Sequence, residues 1–229
     1  AEQHAASSAS STPSLALVGL IDLSAAASLM QSKTITAPSS SGGRATGGRF
    51  TQRMADLSEK DDELIGFAHG GDYIVSGRNW SQWSTWLSQH ELTVAKSGKV
   101  LPIIPTRGNH DGGPLYDEIF DTPGGKEKNY FFTRISPEVA LVTLNTEISA
   151  GGEQRSWLAQ TLADLRPEVR WLLAEYHRPA WPAVKSPGAA KKFWVPLFEK
   201  YNMDLVVESD GHVIKRTVPI RNEKKDPTG

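Results

Sequence analysis

Three side chains suited to metal binding and proton transfer stand next to one another in one short segment. Gly108 is followed by Asn109, His110 and Asp111. Amide and carboxylate oxygens bind divalent cations, and an imidazole exchanges a proton near neutral pH. The glycine lets the backbone approach closely whatever these residues bind. The same four residues could instead form a solvated Asx-type turn, which is the alternative interpretation of this segment taken alone.

Other segments carry residues with the same chemistry. Asp72 follows two glycines, His177 follows an apolar run, and Asp210 is followed two positions later by His212. The chain contains no cysteine, so a metal would be held by imidazole, carboxylate or amide groups. For any single histidine a structural role in the core is the alternative. Their recurrence just beyond apolar runs favours one common site.

Apolar runs predict the strands that position these residues. The predicted strands cover residues 15–21, 64–68, 100–104, 130–135, 139–145, 171–176 and 205–208. In open α/β sheets, ligands bind beyond the carboxyl ends of the strands. The candidate residues follow four of these runs, so the pattern predicts a site where several strands end.

Helical periodicity alternates with the strands and indicates an α/β layered fold. Helices are predicted over residues 50–63, 153–165 and 191–201. A further helix carries Trp80, Trp83 and Trp86, a spacing typical of a helix that faces the core. The alternative is that these tryptophans are exposed and bind a carbohydrate or a protein.

Length and composition predict one domain. We expect a loose segment over residues 1–13 and a single domain over 14–229, with a flexible Ser/Gly-rich insertion near 38–48. Residues 112–129 are Gly/Pro-rich and are predicted to form a loop.

Net charge and hydropathy limit the classes of partner that the sequence predicts. The net charge of −1 offers no basic field for nucleic acid, and no apolar run reaches the roughly 18 residues of a membrane span. The sequence starts at Ala1 without a methionine, which indicates a processed or tagged chain. A periplasmic or secreted location follows as a hypothesis only.

The candidate segments, taken in order, resemble the calcineurin-like metallophosphoesterases, the superfamily that includes the purple acid phosphatases. Their signature blocks are similar to Gly71-Asp72, Gly108-Asn109-His110-Asp111, Tyr176-His177-Arg178-Pro179 and the stretch Asp210-Gly211-His212-Val213-Ile214-Lys215-Arg216-Thr217. The resemblance extends from about residue 64 to 221. It implies an α/β fold, namely a four-layer metallophosphoesterase-type β-sandwich flanked by helices.

The resemblance also implies two divalent metal ions and a ligand set. Its metal ligands would be Asp22, Asp72, Asn109, His177, Asp210 and His212. Asp72 would bridge the two ions. Asp210 stands where the family has a histidine, which favours Mn²⁺ or Mg²⁺ over Zn²⁺. Among Mn²⁺, Zn²⁺ and Fe, Mn²⁺ is the favoured ion. Asp22 is the best candidate for the first block, although it lacks that block's usual glycine or histidine.

Catalytic and substrate-binding roles follow from the same resemblance. His110 would protonate the leaving-group oxygen, and Asp111 would orient it. Arg107 and Arg178 are candidate phosphate contacts, as is Lys215, although each could equally be a solvated surface charge. Val75 stands where purple acid phosphatases have a metal-binding tyrosine, so no tyrosinate–iron charge transfer is expected.

The sequence therefore predicts a metal-dependent hydrolase of small-molecule phosphoesters, either a phosphatase or a phosphodiesterase. The resemblance implies a hydroxide shared by two metal ions as the nucleophile. The alternative is a non-catalytic binding module that keeps the fold with a degraded metal site, because Asp210 and Asp22 depart from the family pattern. No Walker-type loop is present, which argues against nucleoside triphosphate binding by that route.

Overall fold

Two sheets form the framework in the computed structural model, which describes residues 18–19 and 46–227. The first sheet has three short parallel strands in the order β1 (Val18–Gly19), β2 (Phe67–His69) and β3 (Ile103–Pro105). Phe67 lies opposite Ile103 in the register of β2 and β3. All three residues of β2 are buried, as expected of a central parallel strand.

The second sheet has four strands in the order β4 (Phe131–Ser136), β5 (Val139–Thr143), β6 (Trp171–Tyr176) and β7 (Leu205–Glu208). β4 and β5 form an antiparallel hairpin, whereas β5, β6 and β7 run parallel. β5 has the sequence Val-Ala-Leu-Val-Thr and is almost entirely buried, as befits a strand covered on both faces.

Helices flank the sheets. They are α1 (Thr46–Ser58), α2 (Trp80–His90), α3 (Pro114–Ile119), α4 (Gly152–Leu165), α5 (Ala190–Phe193) and α6 (Val195–Lys200). A 3-10 turn covers Glu91–Thr93, and a hairpin of β8 (Ile220–Arg221) and β9 (Lys224–Lys225) follows the second sheet. No helix in the described parts of the chain is both long and apolar enough to cross a bilayer.

The larger core lies between the second sheet and the helices α4 to α6. Leu158 and Leu162 of α4 pack with Leu172 of β6 and Trp194, and each of these side chains is fully buried. Burying one leucine side chain contributes about 1.5–3 kcal/mol. This core therefore fixes the position of β6, the strand that His177 directly follows.

A smaller aromatic core joins α2 and α3 to the loop after β2. Trp83 and Tyr116 are fully buried there beside Tyr73, and the Trp83 indole N–H donates to the Gly77 carbonyl at 3.0 Å. The prediction of a core-facing helix is confirmed for Trp83. Of Trp80, Trp83 and Trp86, only Trp80 is largely exposed, at 57%. An aromatic platform is therefore not formed.

One prediction of local structure was wrong, and a second holds with an interruption. The predicted loop over 112–129 contains α3, in which Pro114 occupies the first turn, where its missing N–H costs nothing. The predicted helix over 191–201 is divided into α5 and α6 at Trp194. Pro196 explains the break, because proline lacks the N–H that would continue the hydrogen-bond ladder.

The remaining differences concern the ends of elements. α1 ends at Ser58 rather than at residue 63, and β2 and β3 lie slightly later than the apolar runs 64–68 and 100–104. Of the predicted insertion near 38–48, residues 46–48 begin α1 and the rest lie outside the described residues. Segment 1–13 and Asp22 also lie outside them. The predicted α/β class is confirmed.

Candidate metal centre

A tight turn after β2 presents Asp72. The backbone is left-handed at Gly71, with φ of 93°, and at Asp72, with φ of 57°. A Cβ atom on Gly71 would lie 2.6 Å from the backbone nitrogen of Gly108. Glycine is therefore required at this position, both for its conformation and because the loop after β3 passes so close.

Asp111 ties this turn to the loop after β3. Its buried carboxylate accepts hydrogen bonds from the backbone N–H groups of Asp72 at 2.8 Å, Tyr73 at 3.0 Å and Gly108 at 2.8 Å. Burial and the nearby Asp72 carboxylate raise the pKa of Asp111 to about 7, while the amides act in the opposite direction. The expectation that Asp111 orients His110 is wrong, since its oxygens are bonded to the backbone instead.

Three donor side chains converge beyond the ends of β2, β6 and β7. Ligand atoms of Asp72, His177 and Asp210 all lie within 4.8 Å of one another, and all three residues are buried. His177 Nε2 lies 3.2 Å from Asp72 Oδ2 and 3.6 Å from Asp210 Oδ1. Asn109 Oδ1 is 3.1 Å from the same nitrogen. The chain thus brings together four of the predicted ligands.

The backbone fixes the orientation of the His177 ring. Its Nδ1 lies 2.6 Å from the Gly70 carbonyl oxygen, so Nδ1–H must donate to that oxygen. Nε2 is thereby directed at the cluster. A hydrogen bond of this kind is how proteins fix the tautomer of a metal-binding histidine.

The charges within the cluster shift two pKa values. Burial alone would lower the pKa of His177, but the hydrogen bond and charge of Asp72 outweigh it and raise that pKa. Burial likewise opposes ionisation of Asp72, but His177 outweighs it and lowers the pKa of that carboxyl. The two shifts have one cause, because each group of the pair stabilises the charged form of the other.

This donor set fits a divalent cation. Ligands that share an ion at about 2.1 Å lie roughly 3 Å apart, close to the spacing of 3.1–3.6 Å around His177 Nε2. Two carboxylates, one amide oxygen and one imidazole suit Mn²⁺, Mg²⁺, Fe²⁺ or Zn²⁺. The residues that would hold the ion are Asp72, Asn109, His177 and Asp210.

An open cleft of about 440 Å³ adjoins the cluster at Asn109. It lies between the loops that follow β2 and β3, and its walls are Val75, Ser76, Gly77, Arg78, Asn109, His110, Gly112 and Gly113. His110 is exposed in this cleft, and its Nδ1 lies 2.8 Å from the Val75 carbonyl oxygen. The carbonyl of Val75, rather than Asp111, therefore orients the ring.

The three predicted phosphate contacts are engaged elsewhere. Arg178 forms a bidentate pair with Glu147 at 2.7 and 2.9 Å. The side chain of Arg107 is mostly buried and lies 4.0 Å from Asp117. Lys215 is bonded to Glu208 and, at 2.6 Å, to the Trp181 carbonyl.

Arg78 is a cation that sequence reasoning missed. It is exposed, lines the cleft beside His110, and forms no hydrogen bond or ion pair within the part of the chain that the structure describes. The available signal was its position six residues after Asp72, in the loop that forms one wall of the cleft.

The last sequence block, residues 210–217, contributes fewer metal ligands to the cluster than the resemblance implied. His212 is exposed, with φ of 50°, and is not among the donors gathered at the described cluster. Lys185, which the sequence analysis did not single out, places its Nζ 2.7 Å from Asp210 Oδ1. The role of Asp22 stays a prediction, because that residue lies outside the described residues.

Comparison with known proteins identifies a family and several relatives of this chain. A family model described as calcineurin-like phosphoesterase matches residues 50–214, which is more than half of the chain. Two curated relatives, uncharacterized proteins from two strains of Mycobacterium tuberculosis, are each 26% identical over 170 residues. Each alignment covers 61% of this chain and 31% of the relative, so the chain spans about a third of these relatives' length.

Solved structures agree at the level of the fold. A purple acid phosphatase from yellow lupin seeds (Lupinus luteus) superposes with a TM-score of 0.62 and 21% identity, covering 78% of this chain and 36% of that one. GAP50 of Plasmodium, described as the anchor in the inner membrane complex, gives a TM-score of 0.54 and 13% identity over 73% of this chain and 62% of that one. The predicted metallophosphoesterase-type fold is confirmed, and the chain belongs to the calcineurin-like phosphoesterase family.

Proposed function

We propose that this chain is a metal-dependent hydrolase of small-molecule phosphoesters, a phosphatase or a phosphodiesterase. The observation that carries the proposal is the convergence of Asp72, His177 and Asp210 within 4.8 Å, beside a cleft that contains His110. Family membership supports the same reaction class.

Asp72, Asn109, His177 and Asp210 would hold the cation. A divalent ion there supplies Lewis-acid chemistry, since it lowers the pKa of a coordinated water and neutralises phosphate oxygens. We propose Mn²⁺ as the favoured ion because the set is rich in oxygen. A second ion, held in part by Asp22 and His212, is a further element of the proposal.

His110 is the proposed general acid. Its Nδ1–H donates to the Val75 carbonyl, which leaves Nε2 to carry the proton that the leaving-group oxygen receives. Its backbone N–H donates to Asp72 Oδ1 at 2.9 Å, so the acid and the proposed metal ligand are held together. A side chain in this position would act on the ester bond next to the cation.

Arg78 is the proposed phosphate-binding side chain. A guanidinium can form two parallel hydrogen bonds to phosphate oxygens, and this one has no competing carboxylate partner among the described residues. Arg107 and Arg178 would first have to leave Asp117 and Glu147.

The experiment is the release of p-nitrophenol from p-nitrophenyl phosphate and from bis(p-nitrophenyl) phosphate in the presence of Mn²⁺. We expect Asp72→Asn and His110→Ala each to reduce the rate by about 10²-fold or more. Asp121→Asn is the matched control, since Asp121 is an exposed carboxylate that belongs neither to the cluster nor to the walls of the cleft. Equal rates in all four proteins would end the proposal.

The second candidate is a non-catalytic module that keeps the fold. Two observations favour it: His212 is not among the donors of the described cluster, and the Lys185 ammonium lies against Asp210. The Plasmodium protein of similar fold is described as an anchor. Metal analysis after dialysis against Mn²⁺ separates the candidates: bound metal with turnover supports the hydrolase, and no bound metal supports the module.

A further inference from the structure

Lys185 makes a direct contact with the candidate metal centre. Its Nζ lies 2.7 Å from Asp210 Oδ1, an oxygen that is also 3.6 Å from His177 Nε2. Lys185 belongs to the segment between β6 and α5, and its side chain is 46% exposed, against 9% for Asp210. A half-exposed cation therefore reaches an almost buried ligand oxygen.

The contact balances the charge of the cluster. Asp72 and Asp210 are two buried carboxylates, and burying unpaired charges is costly. His177 is bonded to Asp72, while Lys185 is bonded to Asp210. Lys185 thus gives Asp210 a cationic partner from the protein itself, at 2.7 Å, while Asp72 has His177 as its hydrogen-bond partner.

A divalent ion and an ammonium compete for the same oxygen. An ion coordinated by Asp210 Oδ1 would lie within a few ångströms of the Lys185 ammonium, and the two positive charges would repel each other strongly in this partly buried place. Lys185 forms no other hydrogen bond or ion pair with a described residue. Its flexible four-carbon chain can therefore swing out to solvent at little cost.

We propose that Lys185 is a displaceable cation, which caps Asp210 in the metal-free protein and leaves when a divalent ion enters the cluster. This inference rests on the metal centre of the proposed function. It makes Lys185 a positioning residue that acts through Asp210 and lowers the affinity of the centre for metal, so that metal binding frees an ammonium at the edge of the site.

Mn²⁺ binding by calorimetry tests the first consequence. We expect Lys185→Gln to bind Mn²⁺ about 10-fold more tightly than the wild type, because the ion no longer displaces a cation. Lys185→Arg keeps the charge and is expected to bind as the wild type does. Lys192→Gln is the matched control, since Lys192 is exposed and its ammonium lies over the Phe193 ring. Equal affinities in all four proteins would overturn the inference.

Amine acylation tests displacement itself, without reference to activity. A short pulse of an acylating reagent, followed by peptide mass mapping, should modify Lys185 several-fold faster with saturating Mn²⁺ than in chelator, with Lys192 unchanged. Tighter binding by Lys185→Gln without faster acylation would mean that the contact persists with metal bound, and would also overturn displacement.

The two proposals fail in different ways. Mn²⁺ binding that is equal in all variants, with normal turnover, removes the role of Lys185 and leaves the hydrolase standing. Absence of Mn²⁺ binding in every variant removes both the metal centre and the inference. Tighter binding and faster acylation without turnover would support the role of Lys185 while contradicting the hydrolase.

Discussion

At the scale of single residues, His177 connects the most parts of the candidate site. One ring nitrogen is bonded to the Gly70 carbonyl, and the other faces Asp72, Asn109 and Asp210. His212, which the resemblance also named as a metal ligand, is exposed on the loop after β7. The two predicted histidine ligands therefore have different surroundings.

We predict that His177→Ala weakens Mn²⁺ binding by at least about 10-fold, because it removes a donor that the backbone holds in place. His212→Ala should change the affinity of the described cluster by less than about twofold, since its side chain is not among the donors of that cluster. An effect of this variant on the proposed second ion would appear as a separate binding step. Isothermal titration of both variants beside the wild type measures this. An equal loss in both would mean that His212 moves into the cluster when metal binds.

His69 is a second informative residue, because it is a fully buried histidine. It stacks on Tyr73 with ring centroids 4.0 Å apart, and its Nδ1 accepts the Gly71 N–H at 3.2 Å. Burial lowers the pKa of His69 from 6.5 to about 3. The folded chain therefore keeps this ring neutral at pH values where the unfolded chain protonates it.

The sign of the resulting pH dependence follows directly. Below about pH 6.5 the unfolded chain binds a proton at His69 that the folded chain does not, so the free energy of unfolding falls as the pH drops toward 3. The slope approaches about 1.4 kcal/mol per pH unit.

We predict a smaller pH effect in His69→Asn, a variant that keeps an acceptor for the Gly71 N–H. When the pH is lowered from 7.5 to 5.5, its free energy of unfolding should fall by about 1 kcal/mol less than that of the wild type. Urea unfolding in the presence of a chelator measures the difference. The variant also loses the stacking of the ring, which lowers its stability at both pH values. The two proteins are therefore compared by how much the free energy of unfolding changes with pH. The same slope in both proteins would show that His69 is not held neutral.

At the scale of elements, the site depends on how closely two loops approach each other. The turn after β2 and the loop after β3 are joined by Asp111 and meet at Gly108. A Cβ atom on Gly108 would lie 2.3 Å from Asp72 Oδ1 and 2.4 Å from the Asp72 nitrogen. Only a glycine leaves room for the Asp72 carboxylate.

We predict that Gly108→Ala weakens Mn²⁺ binding by about 10-fold or more, because the added methyl displaces a proposed ligand of the ion. Gly112→Ala is the matched control, since a Cβ atom there would meet nothing within 4 Å. Circular dichroism should confirm that both variants are folded. Unchanged Mn²⁺ affinity in Gly108→Ala would mean that Asp72 does not hold the ion.

At the scale of the whole molecule, the candidate centre exists only where the two sheets meet. Asp72 follows a strand of the first sheet, whereas His177 and Asp210 follow strands of the second. The bond between His177 and the Gly70 carbonyl crosses from one sheet to the other. An unfolded chain has no such cluster, so metal binding must be linked to folding.

We predict that Mn²⁺ at about 100 times its dissociation constant raises the free energy of unfolding by about 2.7 kcal/mol. Thermal unfolding with Mn²⁺ and with chelator measures the shift in Tm. Asp72→Asn should lose most of this shift, and Asp121→Asn should keep it. A shift of the same size in Asp72→Asn would indicate that the ion binds elsewhere.

Much of the fold could be predicted from the sequence because the relevant signals are local. The run from Trp171 to Tyr176 and the periodicity of α4 specify elements that bury their own apolar residues, and the structure has both. The helix α3 was missed because Gly and Pro dominate the composition around it, although Pro114 is well suited to a first turn.

The sequence by itself determined which residue types follow the strands, and hence that oxygen and nitrogen donors stand at Asp72, Asn109, His177 and Asp210. Only the tertiary structure decided which of them meet, that Asp111 binds backbone amides rather than His110, and that Lys185 reaches Asp210. The physical reason is that these contacts join residues far apart in the chain. Their geometry depends on how two sheets pack, which no local pattern records.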